Sequence, residues 1–213
     1  MKITDKILKG IRLEYGSRQL NRNDLKKEPI ETFQDWFNDA LISKVKEPNA
    51  MVLATSENNS PKARYVLFKG IINDSIIFFS NYDSKKGKEI EKNNFVSLVF
   101  YWREIHRQIR IEGKIKKTSK NISDDYFNSR TDGAKISAIS SPQSKIIKNR
   151  EILEKRIQKI KAENSKLKRP DFWGGYIVKP SLWEFWQGRD NRSHDRFVFQ
   201  EKNGNWEIFR LAP

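Results

Sequence analysis

The sequence predicts a mainly β fold, an antiparallel barrel with helices packed outside it. Three observations carry this expectation. Short β-branched and aromatic runs recur along the chain, separated by turn residues. Between two sets of them, about 119–164 turns helical. The 213 residues contain no internal repeat or low-complexity linker, which suits one domain with a sizeable core.

Residues 1–28 are polar and charged, a mobile arm whose most distinctive tetrad is Arg12-Leu13-Glu14-Tyr15, and 29–213 forms the domain. Pro29 then precedes Ile30, Phe33, Phe37 and Leu41, spaced as one apolar helix face with proline in the first turn. Met51–Thr55 reads as a buried strand, Glu57–Pro61 as a turn and Ala63–Lys69 as a second strand. Asn73-Asp74-Ser75 turns the chain into Ile76–Ser80, continuing an antiparallel meander. Ser84–Ile90 is a short helix capped by Ser84, followed by strands at Phe95–Trp102 and His106–Ile115. In the helical middle, Leu153, Ile157 and Ile160 give an apolar stripe against a face of Lys and Arg. Strands return at Gly175–Val178, Trp183–Gln187, Arg196–Gln200 and Trp206–Arg210, the last two joined by an Asn203-Gly204 hairpin turn.

A formal charge of +15 invites a nucleic-acid partner, because clustered Lys and Arg attract phosphate and aromatics stack on bases. No RNA- or DNA-reading motif accompanies it. Abundant Lys, Ile and Asn, as expected from an AT-rich genome, explain much of the charge as solvated surface. Without cysteine there are neither disulfides nor thiolate metal sites, and two histidines argue against a histidine-ligated metal. The N-terminus lacks an apolar signal region and no 18 apolar residues run together, so a soluble cytoplasmic protein is expected.

The densest run of reactive side chains is Trp183–Phe197. Within it Arg192, His194 and Arg196 fall at every second position, so an extended chain would turn all three to one face. Such a face needs an anion, an acidic partner or solvent. The run resembles the C-terminal signature of the pyridoxamine 5'-phosphate oxidases: Glu184-Phe185-Trp186-Gln187-Gly188, then Arg192-Ser193-His194-Asp195-Arg196, and a chain end of Arg210-Leu211-Ala212-Pro213. The resemblance continues upstream across nearly the whole chain.

That resemblance implies a split-barrel homodimer, Greek-key-like, with flavin mononucleotide (FMN) at the subunit interface. It implies oxidation of pyridoxine or pyridoxamine 5'-phosphate to pyridoxal 5'-phosphate, with O2 as acceptor and H2O2 as by-product. For the flavin it implies Arg64-Tyr65-Val66-Leu67-Phe68-Lys69, Phe79-Ser80, Lys85 and Lys86, Gln108, Gln143-Ser144, Trp186 and Arg196. An ideal strand puts Arg64 and Lys69 on opposite faces, so one could serve flavin and the other substrate, or a bulge intervenes. Lys85 stands where arginine is usual, which keeps charge but loses the bidentate fork. For the substrate phosphate it implies Lys69 with Tyr126 and Arg130, while Ala134 stands where a serine is expected. On a helix, Tyr126, Arg130 and Ala134 share one face. Arg192 and His194 would be the catalytic pair that orients the pyridine ring, Arg12 and Tyr15 would form a lid, and Glu14 and Ser193 would join them in binding substrate. A split-barrel binder of flavin or pyridoxal phosphate without turnover is the alternative, supported by Lys85 and Ala134.

Overall fold

The computed structural model describes residues 14–163 and 166–213. Its nine strands are β1 (Ala50–Glu57), β2 (Ser60–Leu67), β3 (Gly70–Ile72), β4 (Ser75–Asn81), β5 (Phe95–Trp102), β6 (Arg107–Lys117), β7 (Trp173–Gln187), β8 (Asp195–Lys202) and β9 (Asn205–Leu211). Among the described residues there are five α-helices: α1 (Pro29–Ile42), α2 (Lys85–Lys92), α3 (Lys120–Ser129), α4 (Asp132–Ser140) and α5 (Arg150–Ala162). The strands hydrogen-bond in the order β2-β1-β5-β6-β7-β4-β3, with β8 on β7 and β9 on β8, an order that does not close into a ring.

Three hairpins have two-residue turns at Asn58-Asn59, Asn73-Asp74 and Asn203-Gly204. Both central residues of each have positive φ. Such turns match the right-handed twist of the strands they join, and Asn, Asp and Gly enter that conformation most readily. Registers follow: Glu57 opposes Ser60, Ile72 opposes Ser75 and Lys202 opposes Asn205.

Contacts gather the described residues into two compact units, each assembled from separated stretches. The central unit holds Asn49–Leu98 and Glu112–Ser181; the C-terminal unit holds the chain up to Pro48, Val99–Ile111 and Leu182–Pro213. The central core includes Met51, Leu53, Ile76, Phe78, Leu98, Phe127, Tyr176 and Val178. In the C-terminal unit, Phe33, Trp36, Phe100, Trp102, Trp183, Phe185 and Phe199 are buried, and their rings meet edge-on or tilted rather than face to face in most pairs, as ring quadrupoles favour.

Three details differ from the sequence expectation. Helix α1 buries Ile30, Phe33, Trp36 and Ala40, leaving Phe37 half-buried and Leu41 exposed, because its packed stripe is rotated towards Trp36. The runs at Gly175–Val178 and Trp183–Gln187 belong to one fifteen-residue strand that passes through Pro180. There β6 approaches closely at Gly113, where a Cβ would lie 2.2 Å from the Lys179 carbonyl oxygen and 2.9 Å from Pro180 Cα. Finally, Asp190–Arg192 forms a 3-10 turn in which Asn191 and Arg192 have positive φ. Arg192, His194 and Arg196 therefore do not alternate along one extended strand, as their spacing suggests, since β8 begins only at Asp195.

Candidate functional site

The central unit carries an open cavity of about 660 Å³, within the usual range for small-molecule sites. Tyr65, Val66 and Leu67 of β2 form part of its wall, and Lys69 follows them. The chain enters β3 at Gly70, whose φ of +146° is a conformation L side chains rarely adopt. Phe79 of β4, Tyr126 of α3 and Trp173 of β7 stack as nearly parallel rings, with Phe79 and Tyr126 3.8 Å apart between centroids. The Arg130 guanidinium lies 4.7 Å from the Trp173 ring centre. Helix α2 is capped by Ser84, whose hydroxyl accepts from the Gly87 N–H, and this sets Lys86 in its first turn.

Lys86 Nζ donates to Gln143 Oε1 at 2.7 Å, to Ser80 Oγ at 3.0 Å and to Ser84 Oγ at 3.2 Å. Its three protons are placed, and each of these acceptors is neutral. Burial, with the nearby Arg64 charge adding to it and the Glu89 carboxylate opposing it, pushes the Lys86 pKa down to about 8. Burial also lowers that of Arg130. Among the described residues, none of Lys69, Lys86 and Arg130 has a carboxylate partner. Lys86 and Arg130 are half-buried and Lys69 is exposed at the rim; a desolvated cation without an anion is costly, and two of them with a third cation beside one cavity mark a place for a bound anion.

Arg64 is not part of the cavity lining. Its Nη1 donates to Thr55 Oγ1 at 2.6 Å and to the Leu53 carbonyl at 3.3 Å, and its Nη2 to Glu89 Oε2 at 2.6 Å. Thr55 in turn donates to the same Glu89 oxygen, closing a triangle that fixes the guanidinium. Arg64 and Lys69 thus have different surroundings. Phe68 donates its N–H to the Asn49 carbonyl, while Lys85 and Ser144 are exposed and lie outside the lining.

A second cluster lies in the C-terminal unit. The Tyr15 ring meets His106, Trp186 and His194 edge-on, with centroids 5.0, 5.8 and 5.5 Å away. The neighbouring chain is tied to the 189–195 loop: Gly16 N–H donates to Asp190 Oδ1 at 2.6 Å, Asp190 N–H to the Gly16 carbonyl, and Asn191 N–H to Glu14 Oε2 at 3.4 Å. Ser193 Oγ donates to the Asp190 carbonyl. His194 Nδ1 accepts from the Arg189 N–H at 3.1 Å, so the neutral ring carries its proton on Nε2. Burial and then the Arg192 charge lower the His194 pKa, which keeps that form dominant at neutral pH.

Arg196 is engaged elsewhere in this unit. Its Nε donates to Glu184 Oε1 at 2.8 Å and its Nη1 to the Ala212 carbonyl, while Arg110 Nη2 binds Glu184 Oε2 at 2.8 Å. Burial by itself would raise the Glu184 pKa, but the Arg196 and Arg110 hydrogen bonds hold it below the ordinary carboxylate value. Gln108 sits on β6 apart from these pairs, and Arg12 lies outside the described residues.

The cavity thus brings together Tyr65, Val66, Leu67, Lys69, Phe79, Ser80, Lys86, Tyr126, Arg130, Ala134 and Gln143. The second cluster brings together Glu14, Tyr15, Trp186, Ser193 and His194. Sequence reasoning missed Trp173, Ser129 and Thr131 of the lining, and Glu89 and His106 beside the clusters. Trp173 had a signal in the Gly174-Gly175 pair that follows it; the others had none.

Two family profiles match the chain. One, described as pyridoxamine 5'-phosphate oxidase, covers residues 37–164. The other, described as the pyridoxine 5'-phosphate oxidase C-terminal dimerisation region, covers 173–213. The chain is 46% identical to a pyridoxine/pyridoxamine 5'-phosphate oxidase of Leptospira interrogans, over 98% of this chain and all of that one. It is 47% identical to the protein of that name from Cytophaga hutchinsonii, over 97% and 98% of the two. Among solved structures, PhzG of Burkholderia lata, in complex with tetrahydrophenazine-1-carboxylic acid, is similar at 27% identity with a TM-score of 0.88, covering 93% of this chain and all of that one. An FMN-binding, pyridoxamine 5'-phosphate oxidase-related protein of Nostoc punctiforme shares the fold at 16% identity and a TM-score of 0.70, covering 89% and 100%. The antiparallel sheet with its flanking helices is the split-barrel fold.

Proposed function

The chain belongs to the pyridoxamine 5'-phosphate oxidase family, and from that premise we propose that it is an FMN-dependent oxidase making pyridoxal 5'-phosphate. Pyridoxine 5'-phosphate and O2 would give pyridoxal 5'-phosphate and H2O2; the amine substrate would also consume water and release ammonia. The observation that carries the reading is the cavity with three cations lacking a carboxylate partner among the described residues. Its chemistry fits phosphorylated ligands. When bound, FMN supplies the hydride acceptor and the reactivity towards dioxygen.

Lys86, steadied by Ser80, Ser84 and Gln143, would hold the cofactor phosphate, and Lys69, Tyr126 and Arg130 the substrate phosphate. Arg192 and the His194 Nε2–H would orient the pyridine ring, the former able to stack on it as well as hydrogen-bond. Tyr15, already packed on His194, would exclude water there. A homodimer is supported by the matched dimerisation region and by the exposed side chains of Tyr65, Leu67, Phe95 and Tyr101.

Purified protein provides the test. It should be yellow, lose its flavin absorption with pyridoxamine 5'-phosphate under anaerobic conditions and regain it in air. Yellow protein that does not bleach is a binder without turnover, and colourless protein that binds nucleic acid overturns the reading.

A further inference from the structure

Given the substrate-phosphate subsite proposed above, we infer that Thr131 is a further ligand of that phosphate, donating its hydroxyl proton to it. Arg130 ends α3 in extended conformation and Thr131 caps α4, also extended, so these two residues form the whole link between the helices. Both line the cavity, as do Ser129 before them and Ala134 one turn on.

A hydroxyl has one proton to give and two lone pairs. Ser129 gives its proton to the Tyr126 carbonyl at 2.8 Å, a bond within its own helix turn. Ala134 has none. Thr131 uses a lone pair to accept the Ala134 N–H at 3.4 Å, and among the described residues its own proton goes to no partner. The nearest carboxylate in sequence, Asp132, is paired with Lys135 and is not part of the cavity lining. Capping therefore leaves Thr131 with a free donor beside Arg130. A phosphate held by Arg130 and Lys69 has acceptor oxygens to spare, and a hydrogen bond to a charged acceptor is the stronger kind.

The cap and the donor can be separated. Thr131→Ala removes both, so it should lower the melting temperature and weaken pyridoxal 5'-phosphate binding roughly tenfold, the effect of one bond to a charged group. Affinity for pyridoxal, which lacks the phosphate, should not change. In Thr131→Ala/Ala134→Ser, a hydroxyl returns to the lining without the cap. Binding should then recover to within about threefold of wild type while the melting temperature stays low. If Thr131→Ala leaves pyridoxal 5'-phosphate affinity intact while Arg130→Met weakens it, the role of Thr131 is capping alone and the inference fails. The inference fails equally if pyridoxal and its phosphate weaken together, or if the double variant does not recover. If Arg130→Met is also silent, the phosphate subsite itself is misassigned.

Discussion

The cations of the cavity and those of the C-terminal unit stand in opposite circumstances. In the cavity, Lys69, Lys86 and Arg130 have no carboxylate among the described residues. In the C-terminal unit, Arg110 and Arg196 share Glu184, Arg189 and Arg210 share Asp195, and Arg18 and Arg107 share Asp39. Those carboxylates are partners the fold supplies for itself, and such clusters serve structure. Where the fold supplies no acid to a half-buried cation, a ligand can bring the negative charge. A charge of +15 says nothing about this; the partner of each cation does. Arg64 and Arg196, which the resemblance assigns to the cofactor, are both of the paired kind.

The largest expected effect tests the paired region. Glu184→Ala leaves two arginines facing a buried gap, and breaking such a pair costs about 3 kcal/mol. Thermal unfolding should shift down by roughly 6–12 °C for a chain of this size, and an unchanged transition would deny the cluster its structural role. The cavity should respond in the reverse manner. Lys86→Met should weaken FMN binding by roughly 10–100-fold, while the flavin-free protein melts within about 3 °C of wild type. A large loss of stability would place Lys86 among the structural cations.

Arg192 tests a boundary of the contrast, being an exposed cation of the C-terminal unit with no ion pair among the described residues. Arg192→Lys keeps charge but loses the fork, so kcat/KM should fall roughly tenfold with normal flavin content. Kinetics within twofold of wild type would return it to the solvated surface.

The smallest effect is a pH dependence. Lys86 is lowered to about 8 from 10.5, so it loses its charge in the flavin-free protein as pH rises through 8. FMN affinity should fall about tenfold between pH 7 and 9, and Lys86→Arg should flatten that slope. Between pH 8 and 10.5 the unfolded chain binds the extra proton, so the same group should add to flavin-free stability as pH rises. Affinity and stability moving in the same direction would remove Lys86 as the cause.

Much of this protein was written in the sequence because local rules wrote it. Asn58-Asn59, Asn73-Asp74 and Asn203-Gly204 become two-residue turns on their own backbone preferences, and Ser84 caps its helix as its position predicts. The strands, the helical middle and the family likeness all follow from short stretches read one at a time. Tertiary structure decided what depends on distant partners. Only packing set the buried face of α1 at Trp36 and carried β7 past Pro180 opposite Gly113. Asn191 and Arg192 took a positive-φ turn where side-chain alternation suggested a strand. Most of all, charge pairing was invisible: Arg64 meets Glu89 across 25 positions and Arg210 meets Asp195 across a hairpin, while Lys86 makes no ion pair among the described residues. Composition counts cations, but whether each is balanced depends on what the folded chain brings within reach of it, and that is a property of three dimensions.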